Sequence, residues 1–206
     1  MKLDDKGLLI VISGPSGVGK GTVRSALFEM EGHDLVYSIS MTTRAPRKNE
    51  VNGREYYFVS KEEFLKNIEE GKMLEYAEFV NHYYGTPLET VQKQLELGKE
   101  VVLEIDVQGA NQVREKMKDA VFIFIAPPSF EELINRLKSR GTEPISVINE
   151  RVNKAKREID LAYMYDYIVV NDTVENAADK IIAIIRAEHA KVERTIRKYK
   201  EMLEVK

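Results

Sequence analysis

The chain alternates between short, continuously apolar runs and longer stretches in which apolar positions recur every three or four residues. Leu8–Ile12, Val101–Ile105, Val121–Ala126 and Tyr167–Val170 are runs of the first kind. Such runs read as strands buried on both faces. Behind the first, Val23, Leu27 and Met30 keep helical spacing. Leu88–Leu97 is helical and stops at Gly98, and a further helix is expected near Val107–Met117. Pro127-Pro128 ends one strand, and Ser129 with Glu132 caps the next helix, which fails around Gly141. A charged helix covers about Val147–Tyr163, and a last one runs from Val174 to the end. The stretch 34–88 differs. Asp34–Ile39, Glu55–Val59, Met73–Val80 and Tyr83–Tyr84 read as short strands, and a loop rich in Arg and polar residues runs from the first of these to Arg54. Ser60 and Glu63 form a capping box for a helix that ends at Gly71.

Buried runs separated by helices indicate an α/β chain with a parallel sheet covered on both faces. No internal repeat or long linker divides the 206 residues, so one domain is expected. The hydrophobic share of 43% and charged share of 32% place the chain among globular proteins. A net charge of −3 argues against a nucleic-acid-coating surface. The absence of cysteine excludes a thiol nucleophile and a cysteine zinc site, and the three scattered histidines argue against a histidine metal cluster. No apolar run nears the roughly 18 residues of a membrane span, and the run near the N-terminus is too short for a secretory leader. A cytoplasmic location is therefore expected. The last helix carries a narrower apolar stripe at Val192, Ile196, Tyr199 and Leu203. Packing along the protein's own back is the preferred reading of that stripe, and contact with a second copy, as in a homodimer, is the alternative.

The densest chemistry lies between the first strand and its helix. Ser13, Gly14, Pro15, Ser16, Gly17, Val18, Gly19, Lys20, Gly21 and Thr22 form a glycine-rich turn with a lysine at its end. Strand, turn and helix is the setting in which backbone N–H groups and a helix N-terminus cradle phosphate. Lys20 adds a charge for the outer phosphates. The strict pattern places Ser or Thr after the lysine, to touch Mg²⁺. Here Gly21 holds that position and Thr22 lies about 100° further round the helix. The three glycines suggest no packing rationale of their own.

Other constellations follow in order. Arg44 and Arg47, in a loop with Ser40, Glu50, Tyr56 and, further on, Tyr84, suit a second anionic phosphate. Glu75 near an apolar β segment can accept the paired N–H donors at guanine N1 and its 2-amino group, while Ser40 or Thr86 donates to O6. Adenine presents the opposite polarity there. Glu104 and Asp106 end a buried strand on one face, where open parallel sheets take ligands. Asp106 either steers Mg²⁺ through water or caps the following helix. Arg136 and Arg140 lie one turn apart, with Arg151 beyond the next loop, as a lid over transferring phosphates. Glu132 is the alternative partner of Arg136.

Together these residues resemble the guanylate kinases over roughly residues 7–190. The resemblance rests on the glycine-rich turn, the Thr42–Arg47 and Val51–Phe58 segments, Glu75–Phe79, Tyr83–Thr86, Asp106–Ala110, the Arg-Gly-Thr-Glu run from Arg140, and Tyr165–Asp172. It implies a three-layer P-loop fold with a small mixed β/α lobe at 38–88, a helical lid at 136–163, and a core of about 1–37, 89–135 and 164–206. It implies ATP-dependent phosphorylation of GMP, and of dGMP, with Mg²⁺ as the cofactor. Arg44, Arg47, Tyr56 and Tyr84 would hold the GMP phosphate, with Glu50 and Asp106 nearby; Ser40, Glu75, Thr86 and Glu104 would read guanine. Lys20, the loop, Arg136, Arg140 and Arg151 would hold the ATP phosphates, and Asn171 would sit near adenine. Some members of the family have Asp where this chain has Glu104. A phosphate nucleophile is already ionised at pH 7, so alignment and charge neutralisation suffice. A silent protein-binding module and a kinase for another monophosphate are the competing readings.

Overall fold

A computed structural model of the protein describes residues 6–139 and 145–204. Its main sheet has the order β2-β7-β1-β8-β9, all parallel, from β1 (Leu9–Ser13), β2 (Leu35–Tyr37), β7 (Glu100–Glu104), β8 (Val121–Ala126) and β9 (Tyr167–Val170). The two-residue side-chain period of β1 divides the core. Ile10 and Ile12 join Val23 and Leu27 of α1 (Lys20–Glu29), Leu133 and Leu137 of α5 (Phe130–Ser139), and Ile181 and Ile185 of α7 (Val174–Glu188). Leu9 and Val11 face the other way, onto Val91 and Leu95 of α3 (Leu88–Glu96) and Val113 of α4 (Val107–Lys116). Cover on both faces explains why the runs of β1, β7 and β8 are continuous rather than alternating; β9, expected to be buried on both faces, is an edge strand in which Val169 is buried while Ile168 is 59% and Val170 37% exposed.

A second sheet, ordered β4-β3-β6-β5, is built from β3 (Met41–Thr42), β4 (Tyr57–Phe58), β5 (Met73–Phe79) and β6 (His82–Pro87). It is mixed: β3 and β4 run parallel, whereas β3/β6 and β5/β6 are antiparallel. The helix after it, α2 (Lys61–Glu69), is capped as its sequence indicates, with Ser60 Oγ accepting from Glu63 N–H at 3.1 Å. Gly85 packs so closely that a methyl group there would lie 2.6 Å from the Glu75 carbonyl and 2.7 Å from Met73 Cε. Gly85→Ala is therefore expected to cost about 1–3 kcal/mol through overpacking, read as a fall of several degrees in Tm. An unchanged Tm would contradict this account of the β5/β6 contact.

The structure corrects three expectations. The final helix is two helices, α7 and α8 (Val192–Met202), broken at His189–Lys191. Buried Glu188 accepts from the Tyr167 hydroxyl and pairs with Lys191 and Arg194, while His189 Nε2 pairs with Glu100 Oε1 at 2.9 Å. These contacts turn the chain where neither Gly nor Pro announces a break. The stripe on α8 does not pack along the protein's own back either: Val192 is 69% and Leu203 51% exposed, because polar contacts from Arg194 and Lys191 tether the helix instead. Finally, the Arg-rich loop contains β3, a strand too short to carry a pattern of its own. The charged helix α6 spans Ile145–Ile159, followed by a 3₁₀ turn at Ala162–Met164. Among the described residues no helix is long and apolar enough to cross a membrane.

Candidate active site

At the carboxyl end of β1 the chain bends into the glycine-rich turn. Gly14 (φ 145°) and Gly19 (φ 92°) take backbone conformations that favour glycine. A Cβ at Gly14 would meet the Ile125 carbonyl oxygen at 2.3 Å, and one at Gly17 would meet Leu137 Cδ2 at 2.7 Å. The glycines therefore do have a packing reason, contrary to expectation: the turn is pressed against β8 and α5 as well as open in front. Lys20 folds back over it, its Nζ donating to the Gly14 carbonyl at 2.7 Å and the Pro15 carbonyl at 3.3 Å. Burial pushes the Lys20 pKa down, while Glu104, Glu158 and Asp106 oppose that shift.

The turn is braced from behind. Asn171 is 3% exposed, and its side-chain amide donates to the Val18 carbonyl at 2.8 Å. Arg136 donates to the same carbonyl and to the Asn171 carbonyl, both at 3.3 Å, and its Nε holds Glu132 at 2.9 Å. The alternative pairing of Arg136 with Glu132 is thus formed, and the same side chain stands against the turn's backbone. Arg151 stands on α6, and Arg140 lies outside the described residues. In front of the turn is a cavity of about 590 Å³ lined by Ser16, Gly17, Gly19–Thr22, Arg24, Ser25 and Glu104. Thr22 is exposed at its edge.

A second cavity, of about 330 Å³, lies between the two sheets; Ser40, Tyr56, Glu75, Tyr84, Glu104 and Asp106 are among its lining residues. Glu75 is 5% exposed and accepts from the Thr86 hydroxyl at 2.6 Å. Burial pushes its pKa up from the ordinary 4.5 to about 7, and the Thr86 hydrogen bond only partly offsets that. Asp106 caps α4, its Oδ1 accepting from Gly109 N–H at 2.9 Å. That realises one of its two expected roles, and the residue also lines the cavity. Glu104 lines both cavities, so the two meet at the end of β7.

Above the second cavity, Arg44 donates to Glu50 Oε1 at 2.8 Å and lies 5.6 Å from the Tyr56 ring centroid. Glu50 Oε2 accepts from Arg47 N–H at 2.8 Å, so Glu50 organises this loop from within. Its contact with Arg44 holds its pKa below the ordinary carboxylate value. Tyr56 and Tyr84 pack edge to face at 6.0 Å. The Arg47 side chain is exposed.

Several contributors escape sequence reasoning. Arg24 faces Glu104 (3.5 Å) and stacks on Tyr37 (4.5 Å). It lies one turn after Lys20 on α1, a spacing that was there to be noticed. Lys154 lines the second cavity, and Glu158 reaches the turn at Ser16 N–H (3.4 Å). Both come from α6, which is brought to the site by packing and carries no local signature.

Comparison with known proteins agrees over the whole chain. The sequence profile described as guanylate kinase matches residues 6–188. A guanylate kinase of Aster yellows witches'-broom phytoplasma is 59% identical over 205 residues, 99% of this chain and 97% of that relative. The guanylate kinase of Bacillus subtilis is 55% identical over 203 residues, 98% of this chain and 100% of the relative. The crystal structure of guanylate kinase from Anaplasma phagocytophilum superposes with a TM-score of 0.77 at 35% identity, covering 100% of both chains.

Proposed function

The chain belongs to the guanylate kinase family, and we propose that it transfers the γ-phosphoryl group of ATP to GMP, and to dGMP, by in-line displacement. The products are ADP and GDP, or dGDP from dGMP, within purine nucleotide metabolism. The observation that carries this reading is the meeting of two cavities at Glu104, one fronting the glycine-rich turn with Lys20 and the other lined by Glu75, a buried carboxylate held by the Thr86 hydroxyl.

In this reading the turn and Lys20 hold the donor's phosphates, with Arg136, Arg140 and Arg151 closing from the lid at 136–163. Asn171 supports the turn beside the donor. Arg44, Arg47, Tyr56 and Tyr84 hold the acceptor's phosphate, with Glu50 aiming Arg44. Glu75, ionised and held by the hydroxyl of buried Thr86, accepts the paired guanine N–H groups, and Ser40 completes the edge by donating to O6. The acceptor's phosphate oxygen attacks without a general base, so the residues' work is alignment and charge neutralisation. Closure of the lobe at 38–88 and of the lid keeps water from the transferred group. Mg²⁺ bound with ATP supplies further charge neutralisation, and the hard oxygen donors Glu104 and Asp106 fit such an ion.

A coupled assay with ATP and GMP, dGMP, AMP, IMP or UMP tests the proposal. Turnover is expected with GMP and dGMP and to be weaker by orders of magnitude with AMP and UMP. IMP, which lacks the 2-amino group, should fall between. A preference for AMP or UMP, or a folded protein without turnover, would overturn it.

A further inference from the structure

We propose that α8 is the surface through which two copies of this chain associate, the two helices lying antiparallel across a two-fold axis with Val192, Ile196, Tyr199 and Leu203 as the seam. The site described above is not part of it: α8 meets the body of the protein at Asp119, just before β8, whereas the glycine-rich turn follows the carboxyl end of β1 in the same parallel sheet. The contacts of α8 show which of its sides is free. Arg194 donates to the Asp119 carbonyl at 3.0 Å and pairs with Glu188, and Lys191 pairs with Glu188 as well. They hold one side of the helix against the body. Ile196 lies about 200° round the helix from Arg194 and so points away from that body. It is 41% exposed, and Tyr199 of the same stripe is 46% exposed. Large apolar side chains gathered on one free helix face mark an interaction surface. Their spacing of four, three and four residues is that of a two-helix seam.

The charges beside the stripe select both the occupant and its direction. Setting Val192 opposite Leu203 of the second copy also sets Ile196 opposite Tyr199, so every layer of the seam is filled and the surface is complementary to itself, as a two-fold requires. In that register Glu193 flanks Lys200 of the second copy, and Lys200 flanks Glu193 of the second copy. Both side chains are exposed, and among the described residues neither joins the ion pairs that Lys191, Arg194 and Arg197 make within the chain. A parallel pairing would set Thr195 beside Lys200 and match no charges. Three turns of helix bury less than the roughly 1,000 Å² of a stable interface, so the dimer is reversible and concentration-dependent.

Sedimentation velocity across about 1–200 µM protein reads the association, with thermal melts to confirm that each variant is folded. The wild type is expected to shift from monomer toward dimer over that range, and Ile196→Asp to stay monomeric. Glu193→Lys and Lys200→Glu should each weaken association about tenfold or more, because like charges then face each other. The double variant should recover the dimer, and the two single variants mixed together should form heterodimers. Cross-linking reads the register, since the chain has no cysteine of its own. Val192→Cys combined with Leu203→Cys should give a disulfide-linked dimer on oxidation. Neither alone should, because like residues would stand about 16 Å apart along the helix axes. A wild type that stays monomeric at the highest concentration, a dimer that survives Ile196→Asp, or a double charge reversal without recovery would overturn the proposal. Binding of the monomer to phosphatidylserine vesicles that is lost in Ile196→Asp would overturn it too, by assigning the stripe to a membrane surface. No turnover enters these readouts, so this proposal and the catalytic reading fail separately.

Discussion

Lys20→Ala is expected to lower kcat by about a thousandfold or more while changing the KM for GMP by no more than a few fold. Removing one preorganised donor from a site of developing charge costs about 10²–10³ in rate, and a full positive charge near the transferred group is worth at least as much. Lys20 is positioned for that task by its surroundings. Its ammonium is parked on the Gly14 and Pro15 carbonyls, within the turn that would cradle the donor. Burial disfavours its charge, whereas Glu104, Glu158 and Asp106 favour it. Incoming phosphates would add to the favourable side. The cavity proposed for the acceptor's base is the other one, and Lys20 is not among its lining residues. Steady-state kinetics with each substrate varied separates the two effects. Equal losses in kcat and in GMP affinity would mean that Lys20 does not act on the transferred group.

Glu75→Gln is expected to reduce kcat/KM for GMP by about 10²–10⁴, and to bring GMP and IMP close together as acceptors. Two hydrogen bonds to a buried charge contribute roughly 1.5–3 kcal/mol each, and the amide presents an N–H where an acceptor is needed. The wild-type KM for GMP should rise as pH falls below about 7, where the free carboxyl takes up a proton. The variant should lack that dependence. Stability should move the opposite way. Folding raises the Glu75 pKa from 4.5 to about 7, so the folded state holds its proton more tightly than the unfolded chain. This group's contribution to stability therefore declines as pH rises through that interval, and above it the cost is of the order of 3 kcal/mol. Glu75→Gln should accordingly melt at a higher temperature than the wild type at pH 8, with the gain disappearing near pH 4–5. A variant less stable than wild type at pH 8 would show that the ionised carboxylate is better compensated than its burial implies.

What the sequence made legible follows from where each interaction closes. The core strands and the glycine-rich turn carry local signals within about ten residues, although the turn's packing against Ile125 and Leu137 is distant in sequence. Their apolar runs, caps and glycines therefore carry the pattern directly; β8 and β9 have the expected limits, and Ser60 caps as its spacing indicates. Glu75 also stood out, because an acid in an apolar strand needs a partner. The braces were not legible. The convergence of Asn171 and Arg136 on Val18 joins residues more than a hundred positions apart. The turn between α7 and α8 is made by side chains meeting β7 and β9, so no local breaker marks it. Glu158 and Lys154 belong to a helix whose pattern reveals its buried face but not the site at its edge. Gly21 was visible as a departure from the expected motif, but its closeness to Glu104, on a strand far along the chain, was not.

The central claim is spatial: donor and acceptor lie with their phosphates toward one another across the end of β7. A crystal structure with a bisubstrate analogue, adenosine and guanosine joined through a phosphate chain, tests it most directly. The account predicts guanine against Glu75 and Ser40, the phosphate chain passing between Glu104 and Lys20, and Arg44 on the guanosine side. Guanine outside that cavity, or a phosphate chain that does not reach Lys20, would contradict it.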